Sequence, residues 1–313
     1  MPARPVVKIP PLDQGARASR PSRPDTPTNP RPVLGLTTGD PAGLGPELII
    51  RCLADPGLPD GVDFRLIGQE KGHTPGHPTP DSARAAWDAL EESVRLIQAG
   101  TIQAVVTGPV HKESLHAIGF PFPGQTEFFA ARSGTENFAM CLTGGPLTVA
   151  LATIHLPLRD VPRALRTDEI IRVGRLLEEF LHRRLGRAPR LAVAGLNPHA
   201  GESGKFGDEE QTIIAPAIKE LAAHGDFTGP LSPDTVFHRA ATGAFDGVLC
   251  MYHDQGLIPL KLLAFDTGVN VTLGLPYPRT SPDHGTGFDL AGTGRANHRS
   301  MLAAINLAAE MLR

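Results

Sequence analysis

Cysteine is scarce in this sequence, and each of the three cysteines stands alone in an apolar stretch, at Cys52, Cys141 and Cys250. Because their number is odd and their spacing wide, we expect neither a disulfide framework nor a thiolate metal site. Isolated cysteines of this kind are typical of buried thiols in a reducing compartment. We therefore expect a soluble, cytoplasmic protein.

Long apolar runs and excess charge are also lacking. No apolar run approaches the roughly 18 residues that indicate a membrane-spanning helix. The net charge is only −3, so no basic surface for nucleic acid is indicated. Aromatic residues make up 5% of the chain, whereas glycine (34) and proline (31) are abundant. The sequence thus predicts a globular protein with many ordered turns and with neither a nucleic-acid nor a membrane partner.

Two common nucleotide-binding motifs are absent, namely G-x-G-x-x-G and the P-loop with its Gly-Lys-Ser/Thr. The glycine-rich segment GDPAGLGPE (39–47) follows the first predicted strand. Its backbone N–H groups could meet an anion, although a tight strand-to-helix turn is the commoner role of such a segment. Asp40 and Glu47 could instead cap the helix that follows.

The first 31 residues differ from the rest of the chain. They are rich in proline and arginine and show no apolar periodicity. Such a segment cannot bury enough apolar surface to offset its conformational entropy, and it lacks the apolar core of a secretory signal. We predict a disordered tail whose removal leaves activity and melting temperature nearly unchanged.

From Pro32 onward, short apolar or β-branched runs alternate with helical periodicities. Strands are predicted at 33–38, 63–68, 102–108, 147–155, 190–198, 246–253 and 268–276. Helices are predicted at 81–99, 167–185, 208–224 and 298–312. This alternation favours an α/β architecture with a mainly parallel sheet.

Three of the predicted strands end in polar clusters that contain a histidine, at His155, His199 and His253. In open α/β sheets, ligands bind beyond the carboxyl ends of the strands, so the three imidazoles could meet in one crevice. Three imidazoles suit Zn²⁺ or a similar divalent ion and leave positions for substrate. A hydrogen-bonded structural role is the alternative for any single one of these histidines.

Further polar residues lie in turns and at strand ends. Gln125 and Thr126 lie in a Pro/Gly turn, and Glu127 is expected to complement the dipole of the next helix. Lys261, Asn270 and Arg279 follow in the last third of the chain. Lysine and arginine are natural partners of phosphate and carboxylate, although surface cations would look the same.

Seven motifs together resemble the 4-hydroxythreonine-4-phosphate dehydrogenase family of pyridoxal phosphate biosynthesis. They cover the chain from about residue 32 to its end: GDPAGLGPE, GPVHKE, GQTEFF, ATIHLPLRDVP, GLNPHAGESGKFGDEE, MYHDQGLIPLK and GVNVTLGLPYPRTSPDHGTGFDLAG. The resemblance implies oxidation of the C3 hydroxyl of 4-phosphooxy-L-threonine by NAD⁺ or NADP⁺. The β-keto acid then loses CO₂ to give 3-amino-2-oxopropyl phosphate.

The resemblance also implies roles for individual residues. One divalent ion per site (Zn²⁺, Mg²⁺ or Co²⁺) would be bound by the three histidines. The implied substrate contacts are Gln125, Thr126, Lys261, Asn270 and Arg279, and the implied cofactor contacts are His284, Gly285, Thr286 and Asp289. The family usually has histidine where this chain has Gln125, and glutamine cannot carry a proton near neutral pH.

The implied fold has two α/β/α domains flanking a central cleft, as in isocitrate and isopropylmalate dehydrogenases. We place the first domain at 32–130 plus 282–313 and the second at 131–281. The family forms homodimers with the active site at the interface, so we expect the metal site to share histidines between two chains.

Some alternatives stay open. The general base is undetermined, with Asp254, Lys205 and a metal-bound water as candidates. A related dehydrogenase acting on 4-phospho-threonate or erythronate, or on cyclic dihydrodiol carboxylates, is the nearest competing function. A non-catalytic metal-binding module would bind Zn²⁺ without reducing NAD⁺.

Overall fold

The structure is a computed structural model that describes residues 31–68 and 72–313. Residues from Pro32 to Arg313 form one compact unit. The predicted tail lies outside the described residues except for Arg31, so its disorder stays a prediction. None of the helices in the described ranges is long and apolar enough to cross a membrane.

One continuous sheet of ten strands runs through the described residues, in the order β2-β1-β3-β10-β9-β4-β5-β8-β6-β7. Pairing is parallel except between β10 and β9, β9 and β4, and β4 and β5, near the middle of the sheet. The strands are β1 Val33–Thr37, β2 Asp63–Ile67, β3 Ala104–Thr107, β4 Ala139–Gly144, β5 Leu147–Leu151, β6 Arg190–Ala194, β7 Asp226–Leu231, β8 Gly247–Cys250, β9 Val269–Leu273 and β10 Arg279–Pro282.

Ten α-helices connect these strands in the described residues. They are α1 Gly45–Leu53, α2 Pro80–Gln98, α3 Lys112–Ala117, α4 Gln125–Arg132, α5 Val161–Ala164, α6 Thr167–Leu185, α7 Ala215–Leu221, α8 Pro233–Ala241, α9 His253–Ala264 and α10 Arg299–Glu310. A π-helical turn at Glu210–Ile214 leads into α7. The two longest helices have clear end signals, since Thr79 caps α2 and Gly186, with φ of 66°, ends α6.

The core lies on both faces of the sheet. The largest cluster packs α6, α10 and α1 against the strands, and a separate aromatic cluster around Phe120, Phe128 and Phe129 packs beneath α2. Cys52, Cys141 and Cys250 are buried free thiols, as the sequence predicts. Burial raises the pKa of Cys52 and of Cys141 to about 12, so these thiols are not nucleophiles at neutral pH.

The predicted mainly parallel α/β sheet is confirmed. Each predicted strand and helix is present, but the strands end earlier than predicted, so that His155 and His253 lie beyond the ends of β5 and β8. The sequence interpretation missed β4, β7 and β10. The proposed division into two domains stays a prediction. Its boundary after residue 281 falls inside β10, and β10 pairs with β3 of the first proposed domain.

Candidate active site

Polar side chains from distant parts of the chain line one cleft of about 680 Å³. Its walls are the loop after β3, the start of α4, the residues after β5, and β9 and β10. All five predicted substrate contacts line this cleft: Gln125, Thr126, Lys261, Asn270 and Arg279. The predicted metal ligand His155 and the predicted cofactor residues His284 and Gly285 line it too. The structure thus brings these residues together, and their individual roles stay predictions.

Arg279 is the buried cation of the cleft. It begins β10, is 2% exposed, and donates to the hydroxyl oxygens of Thr107 at 2.6 Å and Thr272 at 3.2 Å and to Gln125 Oε1 at 2.9 Å. Its Nε is buried without a hydrogen-bond partner. Burial lowers the pKa of Arg279 from 12.5 to about 10, so the guanidinium stays charged at neutral pH. A buried charge held only by neutral groups favours an anionic ligand.

Two more polar groups complete this wall. The Lys261 ammonium lies 3.1 Å from Asp283 Oδ2, which holds the lysine at the cleft. Asn270 on β9 has a buried Oδ1 without a hydrogen-bond partner. Buried polar atoms are rarely left unpaired in a native structure. The unpaired atoms of Asn270 and Arg279 therefore indicate that a polar ligand belongs in this cleft.

Two of the three predicted metal ligands are neighbours. The rings of His155 and His253 have centroids 5.5 Å apart, a spacing that suits two imidazoles on one ion. Burial, followed by the charges of Lys112 and His253, lowers the pKa of His155 from 6.5. A lowered pKa favours the neutral imidazole that binds metal. His253 Nδ1 lies 2.6 Å from Asp254 Oδ1, and a carboxylate at this position orients a ligand imidazole.

His199 lies apart from this pair, in a left-handed turn after β6. The turn has positive φ at His199, Ala200, Glu202 and Ser203, a conformation that L-residues rarely adopt in succession. The buried carboxylate of Glu210 braces it by accepting the backbone N–H groups of Leu196 and Asn197, both at 2.7 Å. Within the described part of a single chain, no three His, Cys, Asp or Glu side chains are grouped to hold a metal.

The predicted cofactor loop follows β10 and packs against the glycine-rich segment 39–47. Leu44 N donates to Thr286 O at 2.9 Å, and Gly43 approaches so closely that a Cβ there would lie 2.9 Å from Thr286 O. His284 Nε2 is buried without a hydrogen-bond partner, whereas Asp289 is exposed. The glycine-rich segment is therefore a tight strand-to-helix turn that braces the predicted cofactor loop.

Neither Asp40 nor Glu47 caps α1 through a side-chain hydrogen bond, although Glu47 does place a negative charge in its first turn. The N-cap residue is Leu44, and no side chain caps it. Asp40 Oδ1 instead accepts the backbone N–H of Ala42, two residues further along the chain, and this bond stabilises the turn. Glu47 lies in the first turn of α1 and accepts the N–H of Gly292 at 3.1 Å, which ties α1 to the segment after the cofactor loop.

Other cleft residues were not predicted from the sequence. Asp283 holds Lys261, and Glu169 and Arg172 reach the cleft from α6. Asp283 directly follows a strand, which is a usable signal, but β10 itself was missed. The candidate bases Asp254 and Lys205 are 68% and 72% exposed and do not line the cleft of the single chain. Their catalytic roles stay predictions.

The mixed α/β sheet has the fold of the isocitrate dehydrogenase-like proteins. The isocitrate dehydrogenase of Methylococcus capsulatus shares the fold, with a TM-score of 0.52 and 18% identity over 90% of this chain and 86% of that chain. The family model described as pyridoxal phosphate biosynthetic protein PdxA matches residues 55–308. The chain therefore belongs to the PdxA family.

Individual relatives agree with this assignment. A 4-hydroxythreonine-4-phosphate dehydrogenase of Geobacter metallireducens is 45% identical over 328 residues, covering 91% of this chain and 97% of the relative. The crystal structure of the Klebsiella pneumoniae enzyme of that name has a TM-score of 0.76 and 37% identity, covering 90% of this chain and 100% of that chain. A terephthalate 1,2-cis-dihydrodiol dehydrogenase from Burkholderia xenovorans is more distant, with 26% identity, a TM-score of 0.65, and coverage of 89% and 97%.

Proposed function

We propose that this chain oxidises the C3 hydroxyl of 4-phosphooxy-L-threonine with NAD⁺ or NADP⁺ and releases CO₂, forming 3-amino-2-oxopropyl phosphate. The observation that carries the proposal is that the residues matching the family's substrate contacts line one cleft beside the imidazole of His155. Membership of the PdxA family and the names of the relatives support it. The reaction belongs to pyridoxine 5′-phosphate biosynthesis, and we propose the cytoplasm as its compartment.

The anionic groups of the substrate are bound by the charged wall of the cleft. Arg279 and Lys261 provide two cations, and the first turn of α4, at Gln125 and Thr126, provides backbone N–H groups. The amide of Asn270 accepts or donates one further bond. Anchoring both ends of a small substrate fixes the direction of its C3–H bond, which converts binding into orientation for hydride transfer.

The cofactor is proposed to lie against His284, Gly285, Thr286 and Asp289. The unpaired Nε2 of His284 can contact a polar group of the dinucleotide, and the bond from Leu44 to Thr286 fixes the loop. Oxidation moves a hydride from C3 to the nicotinamide and the hydroxyl proton to a base. The bond to the carboxylate then breaks, and its electron pair stays on the carbon that takes up a proton.

A divalent ion, proposed as Zn²⁺, Mg²⁺ or Co²⁺, would be held by His155, His253 and His199. A bound ion supplies Lewis acidity, which acidifies a secondary hydroxyl and stabilises negative charge on oxygen. His155 and His253 have the spacing for this, and His199 would come from a second copy of the chain. We therefore propose a homodimer with the active site at its interface.

The exposed face of α9 supports the homodimer. Ile258, Leu262, Leu263 and Phe265 are between 51% and 83% exposed, and the helix that carries them begins at His253. Several large exposed apolar side chains on one helix favour an interaction site. A second copy that covers these side chains would pack on the helix that begins at His253.

The assay that tests the function is nicotinamide reduction with a panel of substrates and added divalent ion. We expect 4-phosphooxy-L-threonine to be oxidised with a kcat/KM at least about 100-fold above that of 4-phospho-threonate or 4-phospho-erythronate, because a site built for a substrate amine penalises its absence. The cyclic dihydrodiol carboxylates lack a phosphate for Arg279 and Lys261, so they should react more slowly still.

Turnover of 4-phospho-threonate but not of 4-phosphooxy-L-threonine would contradict the proposal and would indicate the related dehydrogenase instead. Tight Zn²⁺ binding without nicotinamide reduction by any of these hydroxy acids would indicate the non-catalytic metal-binding module instead.

A further inference from the structure

Gln125, the residue that departs from the family's usual histidine, has both ends of its amide engaged. Its Nε2 donates to Gly108 O at 3.1 Å, and its Oε1 accepts from Arg279 Nη2 at 2.9 Å. One partner can only accept and the other can only donate, so the orientation of the amide is fixed. One N–H of Gln125 remains for the cleft.

We propose that Gln125 is a positioning residue that holds the Arg279 guanidinium for a phosphate-class anion without neutralising its charge. This inference rests on the proposed function for the identity of the anion, which is the phosphate of the substrate. Gln125 thereby acts on the substrate through Arg279, in addition to any contact of its own with the substrate.

The other contacts of Arg279 have the same neutral character. Thr107 and Thr272 accept from the guanidinium through hydroxyl oxygens, and the ring of Phe129 has its centroid 5.5 Å from Cζ. Among the described residues, no carboxylate forms an ion pair with Arg279. Three of the five guanidinium N–H groups are used, and of the two that remain, the Nε–H is buried and unpaired. The guanidinium thus keeps its charge and spare donors for a ligand.

The charged groups near this arrangement make position 125 sensitive to charge. Glu127 and Tyr277 favour the protonated form of Arg279, although neither bonds to it. Lys112 and Glu127 both approach Gly124, the residue before Gln125. A carboxylate at position 125 would pair directly with Arg279 and cancel the charge that the anion needs. A protonated histidine there would place a second cation within hydrogen-bond distance of Arg279 and repel it.

Inorganic phosphate is the probe that tests this without turnover. Its dissociation constant would be measured by calorimetry for the parent protein and for the variants Gln125→Leu, Gln125→Glu and Gln125→His. We expect the leucine variant to bind phosphate about 10-fold more weakly, because the guanidinium loses its brace, and the glutamate variant about 100-fold more weakly, because the charge is cancelled.

The histidine variant provides the conservative rescue. At pH 8 its neutral imidazole can accept from Arg279 and donate to Gly108 O, so phosphate should bind nearly as in the parent. As the pH falls below about 6.5, the ratio of variant to parent affinity should drop, because the imidazole gains a proton. In turnover, Gln125→Leu should raise the KM for phosphorylated substrate far more than it lowers kcat.

Gln98→Leu, on the exposed end of α2, is the matched control and should bind phosphate like the parent. Arg279→Met should abolish the binding, which identifies the site. Parent-like phosphate affinity in Gln125→Leu would overturn the inference, as would absence of phosphate binding in the parent. If the phosphate results hold but the parent does not oxidise phosphooxythreonine, the proposed function fails and the role of Gln125 stands.

Discussion

At the scale of single residues, Arg279 is a buried cation whose hydrogen-bond partners, Thr107, Gln125 and Thr272, come from three separate segments of the chain. Lys261, Asn270 and Arg279 were identifiable as anion-binding candidates because they lie in polar motifs of a recognisable family. Their bonding partners were not, because contacts such as Arg279 to Thr107 join positions 172 residues apart. The sequence therefore predicts part of the cleft lining, and only the fold shows that Arg279 has no carboxylate partner among the described residues.

Asp246 is a second residue whose role only the fold reveals. It lies just before β8 and binds Arg187 through two bonds of 2.8 and 2.9 Å and the backbone N–H of Arg190 at 2.8 Å. These bonds hold the pKa of Asp246 well below its ordinary value of 3.8. The bonds from Arg187 have the largest effect. The carboxylate thus joins the segment before β6 to the segment before β8.

Asp246→Asn should lower the free energy of unfolding at pH 7 by about 1–2 kcal/mol. The effect is no larger because both arginines are exposed and solvent screens their charges. Because the folded-state pKa is lowered, this stabilisation is present above the unfolded pKa of about 3.9 and is lost as the pH falls through the folded value. Urea unfolding of both proteins between neutral and acidic pH measures the difference. Asp226→Asn, at the exposed start of β7, is the control. A destabilisation that stays constant down to the lowest accessible pH would contradict this account.

At the scale of elements, periodicity predicted seven strands and the long helices and missed β4, β7 and β10. The strand β7, with the sequence DFTGPL, contains Gly and Pro, and β10, with the sequence RTSP, is polar although all four of its residues are buried. Neither segment has the β-branched apolar pattern of a strand. Helix α9 was missed because Gly256 and Pro259 lie inside it and because its apolar residues do not follow one face.

Leu262 lies 83% exposed on α9 and tests the role of that helix. Leu262→Glu should convert the proposed dimer to monomers, since a charge in an apolar interface is costly to desolvate. Sedimentation measures the mass, and metal analysis should show less bound ion because His199 of a second copy is lost.

Leu185→Glu, at the end of α6, is the matched control and should leave the mass and metal content unchanged. A Leu262→Glu protein that remains dimeric with full metal content would show that α9 does not form the interface.

At the scale of the whole molecule, the α/β class and the isocitrate dehydrogenase-like fold were predictable because strands and helices alternate along the chain and because the motifs are specific. The antiparallel pairing of β9 with β10 and β4 was not predictable, because strand order depends on contacts distant in sequence. The division into two domains and the dispensable tail of residues 1–31 remain predictions, and all but Arg31 of that tail lies outside the described residues.

We propose that one cleft couples oxidation of a secondary alcohol to loss of a carboxylate. Measuring CO₂ release and nicotinamide reduction together, with 4-phosphooxy-L-threonine, the purified protein and a divalent ion, tests this coupling. We predict one CO₂ per nicotinamide reduced. Nicotinamide reduction without CO₂, or neither product with this substrate, would contradict the account.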